Sequence, residues 1–347
     1  MPEKKVLIIG AGLGGLVLAH VLHKNNIPVE IFERDENSFS RKQGWAVVLI
    51  ECLPHLKKAL PDALVRDLYT NSVNHNTGDL DEIGFINALT GEKVGSTGGV
   101  PQGQDGHILR VSRLGLRSFL LENGNLPISL GKHFTHYEEH EGFVTAFFKD
   151  GTSRTGSLLV GADGVHSYVM KQLVGAPNHR PVLSKWVPVF GEVKLPKEQY
   201  EPLRKLGTAV VLEIMKGQHP VLTDVIRLGG PGALVTTQPK FLEYVTPEDM
   251  PRGRVTVLGD AAHAMVPIRG AGANTAILDA CDLGDLIVRA HQAGTDFASV
   301  VGKYLEIMVP RGREMVLSSR AAGEQKEDTI EEWVARFQRP RESTGKL

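Results

Sequence analysis

The first apolar segments of the chain predict a strand, a helix and a second strand. Val6-Leu-Ile-Ile9 is a continuous apolar run with the length of a short buried strand. The next apolar residues, among them Leu16, Leu18 and Leu22, repeat at helical spacing. Val29-Glu-Ile-Phe-Glu33 is strand-like again and ends on an acidic residue. This order predicts a β-α-β unit at the start of an α/β protein.

A glycine-rich segment, Gly10-Ala-Gly12-Leu13-Gly14-Gly15, connects the first predicted strand to the helix. Gly10 permits a tight turn, Gly12 lets a pyrophosphate approach the backbone, and Gly15 lets the helix pack against the sheet. Free amides at the helix N-terminus and the helix dipole favour the phosphate charge. The acid that ends the second strand is placed to accept hydrogen bonds from ribose hydroxyls. These features predict a dinucleotide site, for FAD or NAD, that includes Gly10, Gly12, Leu13, Gly14, Gly15, Glu33 and Arg34.

Short strands and helices alternate through the next part of the chain. Strands are predicted at 44–50, 107–111, 128–130, 133–138, 143–148 and 157–160, of which the last four form a β-meander with a hairpin turn at Lys149-Asp-Gly151. Helices are predicted at 53–68, interrupted by Pro54 and Pro61, and at 113–121. Glycine-rich turns between 72 and 100 predict an antiparallel excursion into a second domain. Further strands at 187–193, 209–214, 221–228 and 233–237 predict a sheet that faces the substrate.

Two more glycine- and aspartate-rich loops follow apolar, strand-like runs. Gly161-Ala-Asp163-Gly164-Val-His-Ser167 follows the run at 157–160, and Gly259-Asp260-Ala-Ala-His263-Ala-Met265 follows Arg254-Val-Thr-Val-Leu258. Pro267-Ile-Arg-Gly270-Ala-Gly272-Ala-Asn274 then starts a long helix, and a polar, helical tail follows residue 320. The chain therefore has three glycine- and aspartate-rich loops at predicted strand ends, at 10–15, 161–167 and 259–274.

The composition narrows the class of protein. Of 347 residues, 41% are hydrophobic and 23% are charged, as in an ordinary globular protein. The 39 basic and 40 acidic residues give no general attraction to nucleic acid or anionic lipid. Two cysteines cannot form a disulfide framework, no Cys-x-x-Cys or metal spacing is present, and a reducing, cytoplasmic setting is expected. Glycines interrupt the apolar run at 6–22, which argues against a signal peptide, and no other stretch is apolar enough to span a membrane.

The three loops, in this order, resemble those of the FAD-dependent aromatic hydroxylases, the flavoprotein monooxygenases with the p-hydroxybenzoate hydroxylase fold. Gly161-Ala-Asp-Gly matches the DG motif of that family, and Gly259-Asp-Ala-Ala-His-Ala-Met-Val-Pro matches its GD motif. The resemblance covers residues 1–50, 105–175 and 252–290. It implies an α/β fold: a Rossmann-like FAD-binding domain with an inserted mixed β-sheet substrate domain (α+β) and C-terminal helices. We expect the FAD-binding domain at 1–71, 101–178 and 251–320, the substrate sheet at 72–100 and 179–250, and a helical tail at 321–347.

The resemblance also implies roles for individual residues. Asp260 matches the aspartate that binds the ribityl chain and ribose hydroxyls of FAD. Arg113 matches the FAD-contacting arginine, with Arg110 and Arg117 as weaker competitors for that role. Asp163 is expected either to organise its loop near the pyrophosphate or to bind directly.

Other positions are implied by their place in the motifs. Ala273 lies where the family contacts FAD through the main chain, and the helix that follows points its positive end at the flavin ring. His166 and His263 are expected to pack or to support the loops rather than to catalyse. The remaining candidates for FAD binding are Ala46, Gly259, Pro267, Gly270, Gly272 and Asn274.

The activity implied is an FAD-dependent, NAD(P)H-consuming monooxygenase. It would hydroxylate or epoxidise a small apolar or aromatic organic substrate, such as a secondary metabolite, with O2 and through a flavin C4a-hydroperoxide. No residue is identified as a catalytic acid or base, and a monomer or homodimer is expected. Three alternatives stay open: an FAD-dependent dehydrogenase or reductase, a pyridine-nucleotide dehydrogenase, and a flavin-bound protein without oxygenase activity. The stretch between the DG and GD motifs is short for the family.

Overall fold

A computed structural model describes residues 4–37, 46–73, 81–86, 90–100, 108–185 and 240–324. Its contacts divide the chain into two units. Met1–Asn76, Leu109–Ser184 and Phe241–Gly323 form the first, and Thr77–Ile108, Lys185–Lys240 and Glu324–Leu347 form the second. The strands predicted at 187–193, 209–214, 221–228 and 233–237, and the tail beyond residue 324, lie outside the described residues. The domain limits given above therefore stay a prediction.

The strands and helices of the described residues are numbered here in chain order. The strands are β1 (Val6–Ile9), β2 (Val29–Phe32), β3 (Ala46–Leu49), β4 (Asp81–Ile86), β5 (Lys93–Val100), β6 (Leu109–Ser112), β7 (Ile128–Ser129), β8 (Phe134–His140), β9 (Phe143–Phe148), β10 (Ser153–Gly156), β11 (Leu158–Gly161), β12 (Val182–Leu183), β13 (Leu242–Glu243) and β14 (Val255–Val257). The α-helices are α1 (Leu13–Lys24), α2 (Leu53–Ala59), α3 (Asp62–Asp67), α4 (Arg113–Glu122), α5 (Tyr168–Leu173), α6 (Asp260–His263), α7 (Ala271–Gln292) and α8 (Val301–Glu324). Short 3-10 helices lie at Leu68–Asn71, Pro267–Arg269 and Phe297–Val300.

A five-stranded parallel sheet forms the centre of the first unit. The strands lie in the order β14-β11-β1-β2-β7, and each neighbouring pair is parallel. The chain thus runs from β1 toward one edge and later returns to the other side, as in doubly wound dinucleotide-binding sheets. All four residues of β1 and all four of β11 are buried, which is typical of parallel strands covered on both faces. The α/β fold class predicted from the sequence is confirmed.

Helices α1 and α7 pack closely together. Ten of the twelve residues of α1 are buried, so the helix is covered nearly all round. A Cβ added at Gly284 of α7 would lie 2.6 Å from Cγ1 of Val21, and one added at Gly14 of α1 would lie 3.0 Å from the carbonyl oxygen of Ala276. The apolar stripe predicted for α7 is confirmed, since its residues Ile277, Ala280, Leu283 and Ile287 are buried in the core.

Proline and serine residues define the starts and breaks of several helices, and the predicted interruption of the segment 53–68 is confirmed. The segment 53–68 is divided into α2, α3 and a 3-10 turn, with Pro54 in the first turn of α2 and Pro61 immediately before α3. Ser112 caps α4 by accepting a hydrogen bond from the Gly115 amide (3.2 Å). Ser167 caps α5 in the same way through the Met170 amide (2.8 Å).

The predicted β-meander at 128–160 was wrong in its extent. Only β8, β9 and β10 form a three-stranded antiparallel sheet, and β10 (Ser153–Gly156) had not been predicted. The first predicted strand, β7, pairs in parallel with β2, and the last, β11, pairs in parallel with β1. Both are too short for their alternation to reveal a partner. The hairpin turn at 149–151 is confirmed, with Gly151 at φ +80°.

The described ranges contain neither a candidate membrane span nor a candidate metal cluster. None of the helices there is long and apolar enough to cross a membrane. No group of three or more His, Cys, Asp or Glu in the same ranges is arranged to hold a metal ion.

The contact between α1 and α7 gives a first prediction. We expect Gly284→Ala to destabilise the apoprotein by about 1–3 kcal/mol, because the added methyl group overlaps Val21 in a packed core. Gly272→Ala in the same helix is the control. Its Cβ would lie 3.7 Å from Cγ of Met265, an ordinary contact, so a neutral effect or a gain of up to about 1 kcal/mol is expected. Urea unfolding of the two variants checks this; equal stabilities would contradict the close packing.

Candidate functional site

The three glycine-rich loops lie side by side at one edge of the parallel sheet. They follow β1, β11 and β14, which are neighbours in the sheet and point the same way. The ladder continues into the loops, since the Ala162 amide donates to the Ile9 carbonyl (2.7 Å) and the Leu258 amide to that of Gly161 (2.9 Å). In open parallel sheets, ligands bind at this carboxyl edge, where the chain changes direction across the sheet.

The glycines of the first loop separate into two kinds. Gly10 has φ +106°, and a Cβ there would clash with the carbonyl of Ala162. A Cβ on Gly15 would clash with the Gly10 carbonyl, and one on Gly14 would lie 2.6 Å from Cδ1 of Leu258. The fold itself therefore requires these three glycines. Gly12 differs: it is extended (φ −76°, ψ 176°), and its Cβ would come no closer than 3.9 Å to the Ala162 carbonyl oxygen.

A concave surface lies beside Gly12 at the N-terminus of α1. It is lined by Ala11, Gly12, Leu13, Glu33, Arg113, Leu114 and Arg117. Glu33 is buried at the end of β2, where Oε2 accepts a hydrogen bond from the Ala11 amide (2.8 Å) and Oε1 one from the Asp35 amide (3.0 Å). Its neighbour Arg34 is exposed. The predicted ribose-binding acid thus borders the surface and also holds the glycine loop.

Three arginines were candidates for a cofactor contact, and the structure separates them. Arg113, the first residue of α4, lines the concave surface. Arg117, one turn later, donates from Nε to the Ala11 carbonyl (2.9 Å), and its Nη2 lies 3.6 Å from Oε2 of Glu33. Arg110 is buried in β6. Arg117 therefore connects α4, the glycine loop and the acidic residue.

Asp163 organises its own loop. Oδ1 accepts a hydrogen bond from the Ser167 hydroxyl (2.5 Å), and Oδ2 accepts from the amides of Tyr168 (2.7 Å) and Val169 (3.3 Å). Both carboxylate oxygens are thus directed at the start of α5. Of the two roles weighed from the sequence, these contacts are those of loop organisation.

A buried charged cluster lies behind the third loop, which presents an exposed aspartate. Asp260 begins α6 and is exposed, whereas His263 at the end of α6 has no exposed surface. His263 Nε2 lies 2.5 Å from Oδ2 of Asp279, a fully buried residue of α7. The same Oδ2 accepts the Gly259 amide (3.0 Å), and Nη2 of Arg311 from α8 donates to Oδ1 (2.8 Å).

The charges of this cluster support one another. Burial alone would lower the pKa of His263, but the adjacent Asp279 carboxylate outweighs burial and raises it above its ordinary value. Burial would raise the pKa of Asp279, but His263 and Arg311 together hold it below its usual range. Both shifts favour the form of the pair in which His263 is an imidazolium and Asp279 a carboxylate.

Sequence reasoning assigned His263 to packing or support but missed its partners. Asp279 is an acid within the buried stripe of α7, where an unpaired charge would be costly, and that position was an available signal. Gly312 of α8 also contributes, because a Cβ there would lie 2.5 Å from Cδ2 of His263. Nothing in the local pattern indicates that Arg311 and Gly312 approach this loop.

The segment 267–274 forms a short turn and the start of α7. Gly270 has φ +63° and separates the 3-10 helix at Pro267–Arg269 from α7. Ala273 lies partly buried in the first turn of α7. The side chain of Asn274 is directed at β3 and the residues after it: Oδ1 accepts the Ile50 amide (2.9 Å) and Nδ2 donates to the Val48 carbonyl (2.8 Å).

This arrangement has consequences for the predicted ligand contacts. The hydrogen bonds of Asn274 connect α7 to β3, which begins at Ala46. Ala46 itself is exposed. Any contact of Asn274 with a cofactor would use its main chain, as predicted for Ala273. In the part of the chain that the structure describes, a Cβ at Gly270 or Gly272 would make no contact closer than 3.7 Å.

Comparisons with known proteins agree with this geometry. A model of an FAD binding domain matches residues 242–317, and one of an NAD(P)-binding Rossmann-like domain matches residues 8–56. The FAD-dependent monooxygenase thnD of Trichoderma harzianum is 30% identical over an alignment of 380 residues, gaps included. The alignment covers 91% of this chain and 92% of that protein. The chain belongs to the FAD-dependent monooxygenase family. The FAD-dependent monooxygenase cctM of Talaromyces islandicus is 28% identical, with 91% of each chain covered.

Solved structures of FAD monooxygenases share the fold. Klebsiella pneumoniae HpxO, complexed with FAD and uric acid, superposes on this monooxygenase with a TM-score of 0.70 at 21% identity. The match covers 96% of this chain and 91% of that chain. The fold expected from the motif resemblance is thus confirmed.

FAD is the cofactor of this monooxygenase, and the residues of the loop edge fit it. Among the described residues, no atom fills the space beside Gly12, which adjoins the amides at the start of α1. Such amides, with the helix dipole, bind a pyrophosphate well. Glu33 borders the same surface with carboxylate oxygens suited to ribose hydroxyls, and Arg113 supplies a positive charge.

The two kinds of glycine give a second prediction. Gly12→Ala should leave the unfolding midpoint of the apoprotein near that of the wild type but weaken FAD binding by roughly tenfold or more, because its methyl group enters the space left for the ligand. Gly10→Ala should instead unfold at lower urea concentration, since it combines a clash with a positive φ. Urea unfolding and titration of flavin fluorescence measure the two effects. A Gly12→Ala protein that binds FAD normally would contradict this placement.

The buried pair gives a third prediction, on pH. Since the pKa of His263 is raised on folding, its contribution to stability is full below about pH 6.5 and is lost as the pH rises through the raised value. Since the pKa of Asp279 is lowered, its contribution is present above about pH 4 and lost in stronger acid. We expect His263→Gln to cost about 3–5 kcal/mol between those limits, with the difference from wild type narrowing in alkali.

Urea unfolding of the apoprotein across this pH range checks the third prediction. The exposed histidine His55, changed to Gln, is the control and should keep the wild-type pH profile. A difference between His263→Gln and wild type that grows with increasing pH would show that the pair is not charged as described.

Proposed function

We propose that this monooxygenase uses NAD(P)H and O2 to hydroxylate or epoxidise a small, planar, largely apolar or aromatic organic molecule. The observation that carries the proposal is the position of three glycine-rich loops on neighbouring parallel strands, in a chain aligned over 91% of its length with an FAD-dependent monooxygenase. The uric acid bound to HpxO, a small planar heterocycle, supports the size and shape of the proposed substrate.

The adenosine half of FAD would lie on the concave surface beside α1. Glu33 would accept hydrogen bonds from the ribose hydroxyls, and Arg117 would hold that carboxylate against the glycine loop. The amides of Gly12 to Gly15 at the start of α1 would bind the pyrophosphate, with Arg113 offsetting its charge. This half of the site binds and orients, and it takes no part in the transfer of oxygen.

The flavin half would lie along the third loop. Asp260 is exposed at the start of α6, where its carboxylate would accept hydrogen bonds from the ribityl hydroxyls. Gly270 and Gly272 would allow close approach, and the N-terminus of α7 would favour negative charge on the reduced ring. When bound, FAD supplies the chemistry that accepts a hydride from NAD(P)H and activates O2. The protein would position the flavin and exclude water.

The fourth prediction tests this proposal. The purified protein is expected to be yellow, to lose its colour when NADPH or NADH is added without air, and to recover it on exposure to air. With 18O2 and a panel of small aromatic compounds, mass spectrometry should detect a product that contains one 18O atom. Consumption of NAD(P)H should increase when the substrate is present.

Other outcomes would exclude the proposal in distinct ways. A flavin that is reduced and reoxidised, with a product that gains no oxygen, would indicate a dehydrogenase or reductase. Bound flavin that no pyridine nucleotide reduces would indicate a protein without this activity. A protein that stays colourless after FAD is added would overturn the assignment of the site itself.

A further inference from the structure

We infer that Asp279, buried in α7, is a positioning residue for the flavin half of the site: it holds both ends of α6 and so fixes the orientation of Asp260. The inference rests on the proposed function, because it takes Asp260 as the residue that binds the ribityl chain. Asp279 itself has no exposed surface and would not contact FAD.

One oxygen of Asp279 contacts both ends of α6. Oδ2 accepts a hydrogen bond from the Gly259 amide (3.0 Å), immediately before Asp260, and lies 2.5 Å from Nε2 of His263, the last residue of the helix. The helix is a single turn, closed by the amides of Ala262 and His263 on the Gly259 carbonyl. A helix of one turn has little stability of its own. Its geometry therefore depends on contacts with the rest of the protein.

The backbone before Asp260 also requires an external constraint. Gly259 has φ +59° and ψ −141°, a combination that residues with a side chain rarely adopt. A Cβ there would lie 3.0 Å from Cβ of Ala276, one turn before Asp279 in α7. The backbone of Gly259, which orients Asp260, is therefore held by α7 through a hydrogen bond and through close packing.

Two residues of α8 hold Asp279 and His263 in place. Arg311 donates from Nη2 to Oδ1 of Asp279 (2.8 Å) and from Nη1 to Oδ2 of Asp282 (2.6 Å), so two cations face two carboxylates. Gly312 leaves the space that the ring of His263 occupies. A buried ion pair is often no more stabilising than apolar residues of the same volume, so its contribution here is better explained by the geometry it imposes.

The change Asp279→Asn tests the inference with little change in shape. The carboxylate has two oxygens for three donors, from Gly259, His263 and Arg311. An asparagine offers one oxygen and turns an NH2 group toward a donor. Asp282→Asn is the matched control, because Asp282 lies in the same helix and its carboxylate accepts a hydrogen bond from the same arginine rather than from α6.

The fifth prediction is a double-mutant cycle on the affinity of the full-length apoprotein for FAD, followed by flavin fluorescence. Asp260→Ala and Asp279→Asn should each weaken binding by roughly tenfold or more, and the double variant should bind about as weakly as Asp260→Ala alone. The visible spectrum of bound flavin should change in the same direction in both single variants. Asp282→Asn should bind FAD within about twofold of wild type and keep its spectrum.

The contradictory outcomes are distinguishable. If Asp260→Ala binds FAD normally, the proposed flavin site is wrong and the inference falls with it. If Asp260→Ala weakens binding but the two effects multiply in the double variant, Asp279 acts independently of Asp260 and only the inference is overturned.

A second variant covers the case in which Asp279→Asn does not fold, as judged by circular dichroism. Gly312→Ala then replaces it in the cycle, because the added methyl group displaces the ring of His263 without removing a charge. It should weaken FAD binding and show the same coupling to Asp260→Ala. Additive effects would overturn the inference here as well.

Discussion

The parallel pairing of β1, β11 and β14 is the constraint on which the site depends. The hydrogen-bond register brings Ile9 beside Gly161 and Gly161 beside Val257, so the three strands end at the same level of the sheet. Each glycine-rich loop starts within two residues of that level. Loops that are about 150 and 100 residues apart in sequence thus become neighbours by backbone pairing alone.

Much of the fold and of the site could be predicted because the signals are local. A glycine loop between an apolar strand and a helix can be recognised from its own residues. The same is true of the prolines that break the helix at 53–68. The residues of β7 are predicted as a strand, but their pattern does not indicate which strand they pair with. Ile128 pairs with Ile31, and that choice depends on the whole sheet rather than on the pattern around Ile128.

The cluster around Asp279 could not be predicted for a similar reason. Its members lie on α6, α7 and α8, and Asp279 and Arg311 are 32 residues apart along the chain. Periodicity shows that Asp279 belongs to the buried face of α7, but it does not show which cation neutralises the charge. That information lies in the packing of α8 against the loop, in which Gly312 is needed for the ring of His263.

The glycine-rich segments that follow β1 and β14 both pack against one small residue. Ala276 of α7 lies under both loops, because a Cβ on Gly14 would come within 3.0 Å of its carbonyl oxygen and one on Gly259 within 3.0 Å of its Cβ. The helix that follows the dinucleotide loop and the loop that carries Asp260 therefore rest on the same turn of α7. Since packed interiors deform little, a displacement at either contact is transmitted to the other. In the proposed site, the rigid contact between α1 and α7 would therefore set the distance between the pyrophosphate and ribityl positions.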